Sequence, residues 1–310
     1  MVSNNHRPQW KIFKEVFSDF DKIDIVDTRT VGFSFGPAIN AISRMTGDIK
    51  PAIKAFVVND EEVMRKLIES LRAANRERKA MTADQTNAAM VQAELQKDLP
   101  ICIINNEEFF DGIVGLVAGR VREAINKPTI IMTKERGIWK GSGRSIPGYH
   151  IKDALDEVQA ETGLMVTYGG HSQACGVSVT DENMIDFKLA MIENADKIPA
   201  DAFVRNIVID YEASPDEIDD LFVDRVKNLA PFGNSFEEPI IGIQNLVPNE
   251  VKTIGSDNQH LILKCNGFEV VSWYGAGAIK DGIPASFTVC GRVERDSFGI
   301  KLMVDPSDIH

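Results

Sequence analysis

The stretch GLMVTYGGHSQACG, residues 163–176, decides how this chain is read. An apolar, strand-like lead-in ends on two glycines and a histidine, and small residues continue through Gly176. Glycine permits backbone conformations closed to other residues and lets a backbone approach a ligand closely. Successive N–H groups in such a turn form an anion-binding nest. Gly169 and Gly170 are read as that nest, and His171 as a group that hydrogen-bonds a phosphate oxygen or hands it a proton. A tight turn holding a structural histidine is the competing reading.

A second motif of the same kind lies upstream. KGSGRS, residues 140–145, gathers two glycines, two hydroxyls, a lysine and an arginine. The backbone at Gly143 and the hydroxyls of Ser142 and Ser145 could bind phosphate oxygens, and Arg144 could fork onto them bidentately. A polar hairpin is the alternative. Both motifs follow a predicted strand. Parallel strands would bring the two loops to one edge of a sheet, where α/β ligands sit, so one shared phosphate site is expected.

Strands alternate with helices for about a hundred residues around these motifs. ICIINN, KPTIIMTKE, GIWKGSGRS and GLMVTYGGH read as strands, while GIVGLVAGRVREAIN, HIKDALDEVQAET and DENMIDFKLAMIENADKI read as helices. This pattern predicts an α/β sheet domain. Before it, Ala55, Val58, Val63, Leu67, Leu71 and Ala74 recur at helical spacing, and a run without Gly or Pro predicts a long helix, broken once near Met81–Thr82. Within it, NRER (75–78) reads as a solvated face. After residue 203, a helix capped by Ser214 precedes five or six short strands, which predicts a small barrel or sandwich.

Charge and composition narrow the function. The 310 residues suggest two domains, and the net charge of −12 argues against a surface that grips nucleic acid all over. Yet residues 113–152 hold eight Lys or Arg against two Glu, a local +6. The four cysteines lie far apart with no C-x-x-C pair, so they read as small buried thiols rather than zinc ligands. Asp19, Asp21 and Asp24 have no histidine nearby and are not read as a metal loop. No apolar run approaches the roughly 20 residues that span a bilayer, so no membrane association is expected, and the cytoplasm is.

GPAINAISRM, ANRERK, GIVGLVAGRV, KGSGRSIPGYHIKDAL, GGHSQACG and LAPFGNSFEEP, in this order, resemble the DHH phosphoesterase superfamily, and most closely its RecJ-type single-strand-specific 5′→3′ exonucleases. The resemblance implies an α/β DHH-associated mixed-sheet domain, preceded by a long connecting helix and followed by an OB-type β-barrel. Residues 1–48 would be the end of a DHH domain, 49–98 the connecting helix, 99–202 the DHH-associated domain and 203–310 the barrel. By the same analogy Ser142, Arg144, Ser145 and His171 would line the path of single-stranded DNA, with Arg44 near the 5′ end. A complete family enzyme uses Mn²⁺ or Mg²⁺. The carboxylate motifs and the DHH triplet that hold the metal are absent from this sequence, so no cofactor is expected on this chain alone. A separate DHH-domain polypeptide would supply the metal. A non-catalytic module that binds single-stranded DNA, or a replication or repair protein, is the alternative.

Overall fold

A computed structural model of the chain describes residues 7–21, 26, 28–233, 235–255 and 257–310. Two units emerge, one through Arg205 and the other Asn206–His310.

The first unit opens with helices. In α1 (Pro8–Asp21) the residues Ile12, Phe13, Val16 and Phe17 fall on one face, and all are buried. The short α2 (Thr28–Thr30) leads through a π-helical turn, Val31–Phe35, into α3 (Gly36–Thr46), followed by α4 (Lys50–Val57) and α5 (Glu61–Glu94). Phe35 packs on Phe13 at 4.8 Å between ring centroids. Asp60 caps α5, its carboxylate accepting the Val63 N–H at 3.0 Å, and Glu61 and Glu62 complement the first turn. The inward stripe is Met64, Ile68, Leu71 and Ala74; of the expected stripe, Val63 is exposed and Leu67 packs half-buried at the edge of the same core. The expected break near Met81–Thr82 does not occur. Thr82 is buried and its hydroxyl donates to the Arg78 carbonyl at 2.6 Å, satisfying a polar group inside an unbroken helix.

After α5 come β1 (Cys102–Asn105), α6 (Val114–Ile125), β2 (Thr129–Glu135), β3 (Ile138–Arg144), α7 (Ile151–Thr162), β4 (Met165–His171), β5 (Ala174–Thr180) and α8 (Met184–Ala195). The strands form one sheet in the order β1-β2-β3-β5-β4. Side chains alternate between its faces. Ile103 joins the core under α7 and α8, while Cys102 and Ile104 join the core under α6. Only β1 and β2 run parallel, and the other three pairs are antiparallel. This corrects the expectation of parallel strands feeding two loops. The glycines of KGSGRS lie within β3, and the segment after the histidine is itself a strand, β5, between β3 and β4.

The second unit holds β6 (Tyr211–Glu212), α9 (Asp220–Lys227), β7 (Ile241–Leu246), β8 (Glu250–Ile254), β9 (His260–Lys264), β10 (Phe268–Ser272), β11 (Phe287–Asp296) and β12 (Gly299–Ile309). They make one seven-stranded sheet in the order β6-β7-β11-β12-β10-β9-β8. Among the described residues β6 and β8 do not pair, so the OB-type domain is an open sheet rather than a closed barrel. Its core gathers Ile243, Leu263, Val270, Phe287, Val289 and Leu302. Ser214 does not cap the long helix expected there. It closes a capping box with Glu217 over a short 3-10 turn, and Asp219 caps α9 instead, accepting the Phe222 N–H at 2.7 Å.

Candidate nucleic-acid interface

The antiparallel register builds the site. Reading across β3, β5 and β4, Arg144 pairs with Ala174 and Ala174 with His171. Two residues along, Ser142 faces Gly176, which faces Gly169, and then Lys140 faces Ser178, which faces Thr167. With a side-chain period of two, these nine residues share one face of the sheet. The opposite face buries Trp139, Cys175, Val177 and Val179. In these three rows the central strand contributes only Ala, Gly and Ser to the open face, so it forms the floor of a channel between an arginine-bearing and a histidine-bearing strand. A groove of about 350 Å³ lies toward the Lys140 end of this face, lined by Lys140, Thr167, Gly169, Gly176 and Ser178 but not by Arg144 or His171.

Helix α6 packs beside this channel on β2 and β3. Gly115, in its first turn, brings the helix close: a Cβ there would lie 3.1 Å from both Arg144 Nη2 and Ser142 Oγ. Arg144 Nη1 donates to Ser142 Oγ at 2.9 Å and to the Gly143 carbonyl at 2.8 Å, which fixes its fork in place. Arg44 reaches the same region from α3. Its Nη1 donates to the Gly112 carbonyl at 3.4 Å, and a Cβ on Gly112 would come within 2.2 Å of the Arg44 carbonyl oxygen. Lys140, by contrast, is paired with Glu135.

Further arginines converge here. Burial pushes the Arg144 guanidinium below its ordinary value. Cys175 opposes that shift, while Arg44 and Arg122 add to it. Burial likewise lowers Arg78, with Arg120 and Arg44 adding like-charge repulsion. Asn75, itself buried, clamps Arg78 by accepting from Nε at 3.1 Å and Nη2 at 2.9 Å. The buried Nε of Arg122 has no hydrogen-bond partner among the described residues. No ion pair joins any of these five arginines to a carboxylate among the described residues. Like charges gathered without paired carboxylates raise the local positive potential.

The candidates from the sequence therefore divide. Arg144, Ser142, Gly169 and His171 share one face, and Arg44 stands within electrostatic range of Arg144. Gly143 and Ser145 do not face the channel, which corrects their reading as phosphate contacts. A Cβ on Gly143 would lie 2.5 Å from Cys175 Sγ in the core, and the 3% exposed Ser145 donates its hydroxyl to the Tyr149 carbonyl at 2.7 Å. Gly170 serves the hairpin: at φ 150° its Cβ would lie 2.2 Å from the Ala174 carbonyl oxygen. The NRER face is not simply solvated, because Asn75 is buried and Arg78 is half-buried within the cluster. Thr167, Ser178 and Gly115 were missed. The period-two alternation of ACGVSVT was the signal for Ser178, the place two residues before Gly169 in the strand MVTYGGH was the signal for Thr167, and Gly115 left none beyond its place in a glycine-spaced helix.

Among the described residues no group of three or more His, Cys, Asp or Glu side chains could hold a metal ion. The side chains of Asp19 and Asp21, and all of Asp24, lie outside the described residues. The donor set described thus suits anion contacts and does not fit a two-metal centre. Among the described residues no helix is long and apolar enough to cross a membrane.

Residues 96–196 match the DHHA1 domain and residues 209–303 the RecJ OB domain. The chain thus carries a DHHA1 domain followed by a RecJ OB domain. The single-stranded-DNA-specific exonuclease RecJ of Bacillus subtilis is 27% identical over 267 residues, which cover 82% of this chain and 33% of that protein. RecJ of Dickeya dadantii is 30% identical over 241 residues, 75% of this chain and 41% of that protein. The Thermus thermophilus RecJ structure solved with Mn²⁺ shares the fold, with a TM-score of 0.80 at 23% identity over 100% of this chain and 45% of that one. This chain is RecJ-like, and it spans a third to two fifths of the length of these curated relatives.

Proposed function

We propose that this chain is the substrate-binding portion of a RecJ-like 5′→3′ single-stranded-DNA exonuclease acting in the cytoplasm, with the metal domain for phosphodiester hydrolysis supplied by another chain. The observation that carries this reading is the Arg144–Ala174–His171 row beside an arginine cluster without acidic partners. A phosphate in the channel would take the Arg144 fork on one side and a hydrogen bond from His171 on the other. The glycine floor lets the sugar–phosphate chain lie close to the backbone. Contacts of this kind position a strand without reading bases, which suits an enzyme that degrades any sequence. In the RecJ relative solved with Mn²⁺ the metal is that protein's. Mn²⁺ or Mg²⁺ in a complete enzyme would activate the attacking water, and the residues described here would hold and orient the strand.

The test is twofold. Fluorescence anisotropy should show the chain binding 5′-phosphorylated oligonucleotides, and a nuclease assay with Mn²⁺ should show degradation only when a DHH-domain polypeptide is added. Rapid Mn²⁺-dependent degradation by the chain alone would refute the division of labour.

A second reading rests on the other unit. From residue 203 onward there are 17 Asp or Glu against 9 Lys or Arg, a net of −8. Nucleic-acid affinity depends on Lys and Arg displacing counterions, so this acidic unit favours a non-catalytic module that also holds a replication or repair protein. Retention of a protein partner after nuclease treatment would support it.

A further inference from the structure

Helix α9 carries apolar residues on two sides. Val223 and Val226 enter the core of the second unit. Leu221 and, just past the helix, Leu229 instead border a groove of about 610 Å³ between α9 and the β6 edge of the sheet. Leu221 is 56% exposed, Leu229 51% and Tyr211, across the groove, 45%. An amphipathic helix on a small domain normally turns polar side chains outward, so three large apolar groups around one concavity mark a contact surface.

The rim gives the occupant its charge. Asp210, Glu217 and Asp219 line the groove against Arg225 alone among cations. These carboxylates are held rigidly: Glu217 accepts from the Ser214 backbone at 2.7 Å and from the Tyr211 hydroxyl at 2.8 Å, and Asp210 accepts from the Ile240 backbone at 2.8 Å. The hydrogen bonds from the Ser214 backbone, the Tyr211 hydroxyl and the Ser214 hydroxyl hold the Glu217 carboxyl below its ordinary value, so the rim is charged at neutral pH.

We propose that this groove docks a segment of a partner protein that inserts aliphatic or aromatic anchors between Leu221, Leu229 and Tyr211 and flanks them with Lys or Arg. Its acidic rim and the unit's charge of −9, 17 Asp or Glu against 8 Lys or Arg over 206–310, repel a DNA phosphate backbone, which makes this site separate in chemistry from the arginine cluster.

The test is selection of a phage-displayed random 12-residue peptide library on the immobilised chain, followed by anisotropy with the enriched peptides. The expected peptides join apolar anchors to Lys or Arg. Their Kd should rise at least tenfold for the double variant Leu221→Ser, Leu229→Ser, whose sites are exposed and whose oligonucleotide binding should be unchanged. Binding should weaken as NaCl is raised from 50 to 500 mM, and Arg144→Ala should leave it intact. No enrichment, equal enrichment on the double variant, or acidic winners would overturn the proposal. So would displacement of the peptides by single-stranded DNA, or self-association of the chain that the double variant abolishes, because each would name a different occupant.

Discussion

Replacing Arg144 with alanine should weaken binding of a 5′-phosphorylated oligonucleotide and leave the fold standing. The fork is pre-set by its bonds to Ser142 Oγ and the Gly143 carbonyl, so little ordering remains to be done when a phosphate arrives. A hydrogen bond to a charged group contributes about 1.5–3 kcal/mol, which corresponds to a rise in Kd of roughly tenfold to a hundredfold. Neutralising one fewer phosphate should also flatten the slope of log K against log salt by about 0.7 for a single strand. Stability should move little, because the guanidinium is half-buried beside Arg44 and Arg122 and its removal relieves both burial of a charge and like-charge repulsion. Tm should stay within about 3 °C of the parent, the scale of 1 kcal/mol in a domain of this size. Arg144→Lys keeps the charge without the fork; it should restore the salt slope and recover only part of the affinity. Anisotropy titrations at several NaCl concentrations, beside a thermal melt, read all of this. An unchanged Kd, or a loss of affinity matched by a collapse of Tm, would refute the phosphate role.

Other perturbations separate contact from architecture. His171→Ala removes an exposed side chain and should weaken oligonucleotide binding by about 1–3 kcal/mol with Tm unchanged; a large loss of Tm with binding intact would make the histidine structural. Gly143→Ala forces a Cβ to 2.5 Å from Cys175 Sγ and 2.9 Å from Ile151 Cδ1, so a denaturant melt should show destabilisation of about 1–3 kcal/mol from overpacking. Asn75→Ala frees Arg78 from its clamp and should raise the Kd for single-stranded DNA several-fold, measured by anisotropy, while Asn75→Asp should over-neutralise the cluster and weaken it further. Burial pushes the thiols of Cys102 and Cys175 up to about 11 from an ordinary 9.0. The folded state then holds their protons at pH values where the unfolded state has released them, so these thiols should cost no stability below pH 9 and progressively more between pH 9 and 11. Replacing both with alanine should flatten that part of a stability-against-pH curve, and native-state labelling at pH 8 should leave both thiols unreacted.

What the sequence made legible follows from how local each signal is. The long helix α5 and the strand leading into the glycine–histidine run are local patterns, and both exist as elements where they were expected. The sheet's direction was not local. KGSGRS and GGH each looked like a loop after a strand, since glycine is rare inside strands, and two such loops suggested parallel strand ends. In the fold the glycines sit within strands because they are crowded: Gly143 leaves room for Cys175, and Gly141 for the Met132 side chain. That crowding comes from neighbours 32 and 9 residues away, which no local pattern records. The same blindness hid β5, whose apolar set is only Cys175, Val177 and Val179, with small outward residues between them. Yet that weak strand aligns Arg144 with His171. Its lack of large outward side chains, which made it hard to see as a strand, is also what keeps the channel floor low enough for a backbone to lie between the arginine and the imidazole. A substitution such as Gly176→Leu should therefore leave the Cys175–Val177–Val179 core intact while obstructing the channel, and the anisotropy assay should report lost binding in a protein that melts like its parent.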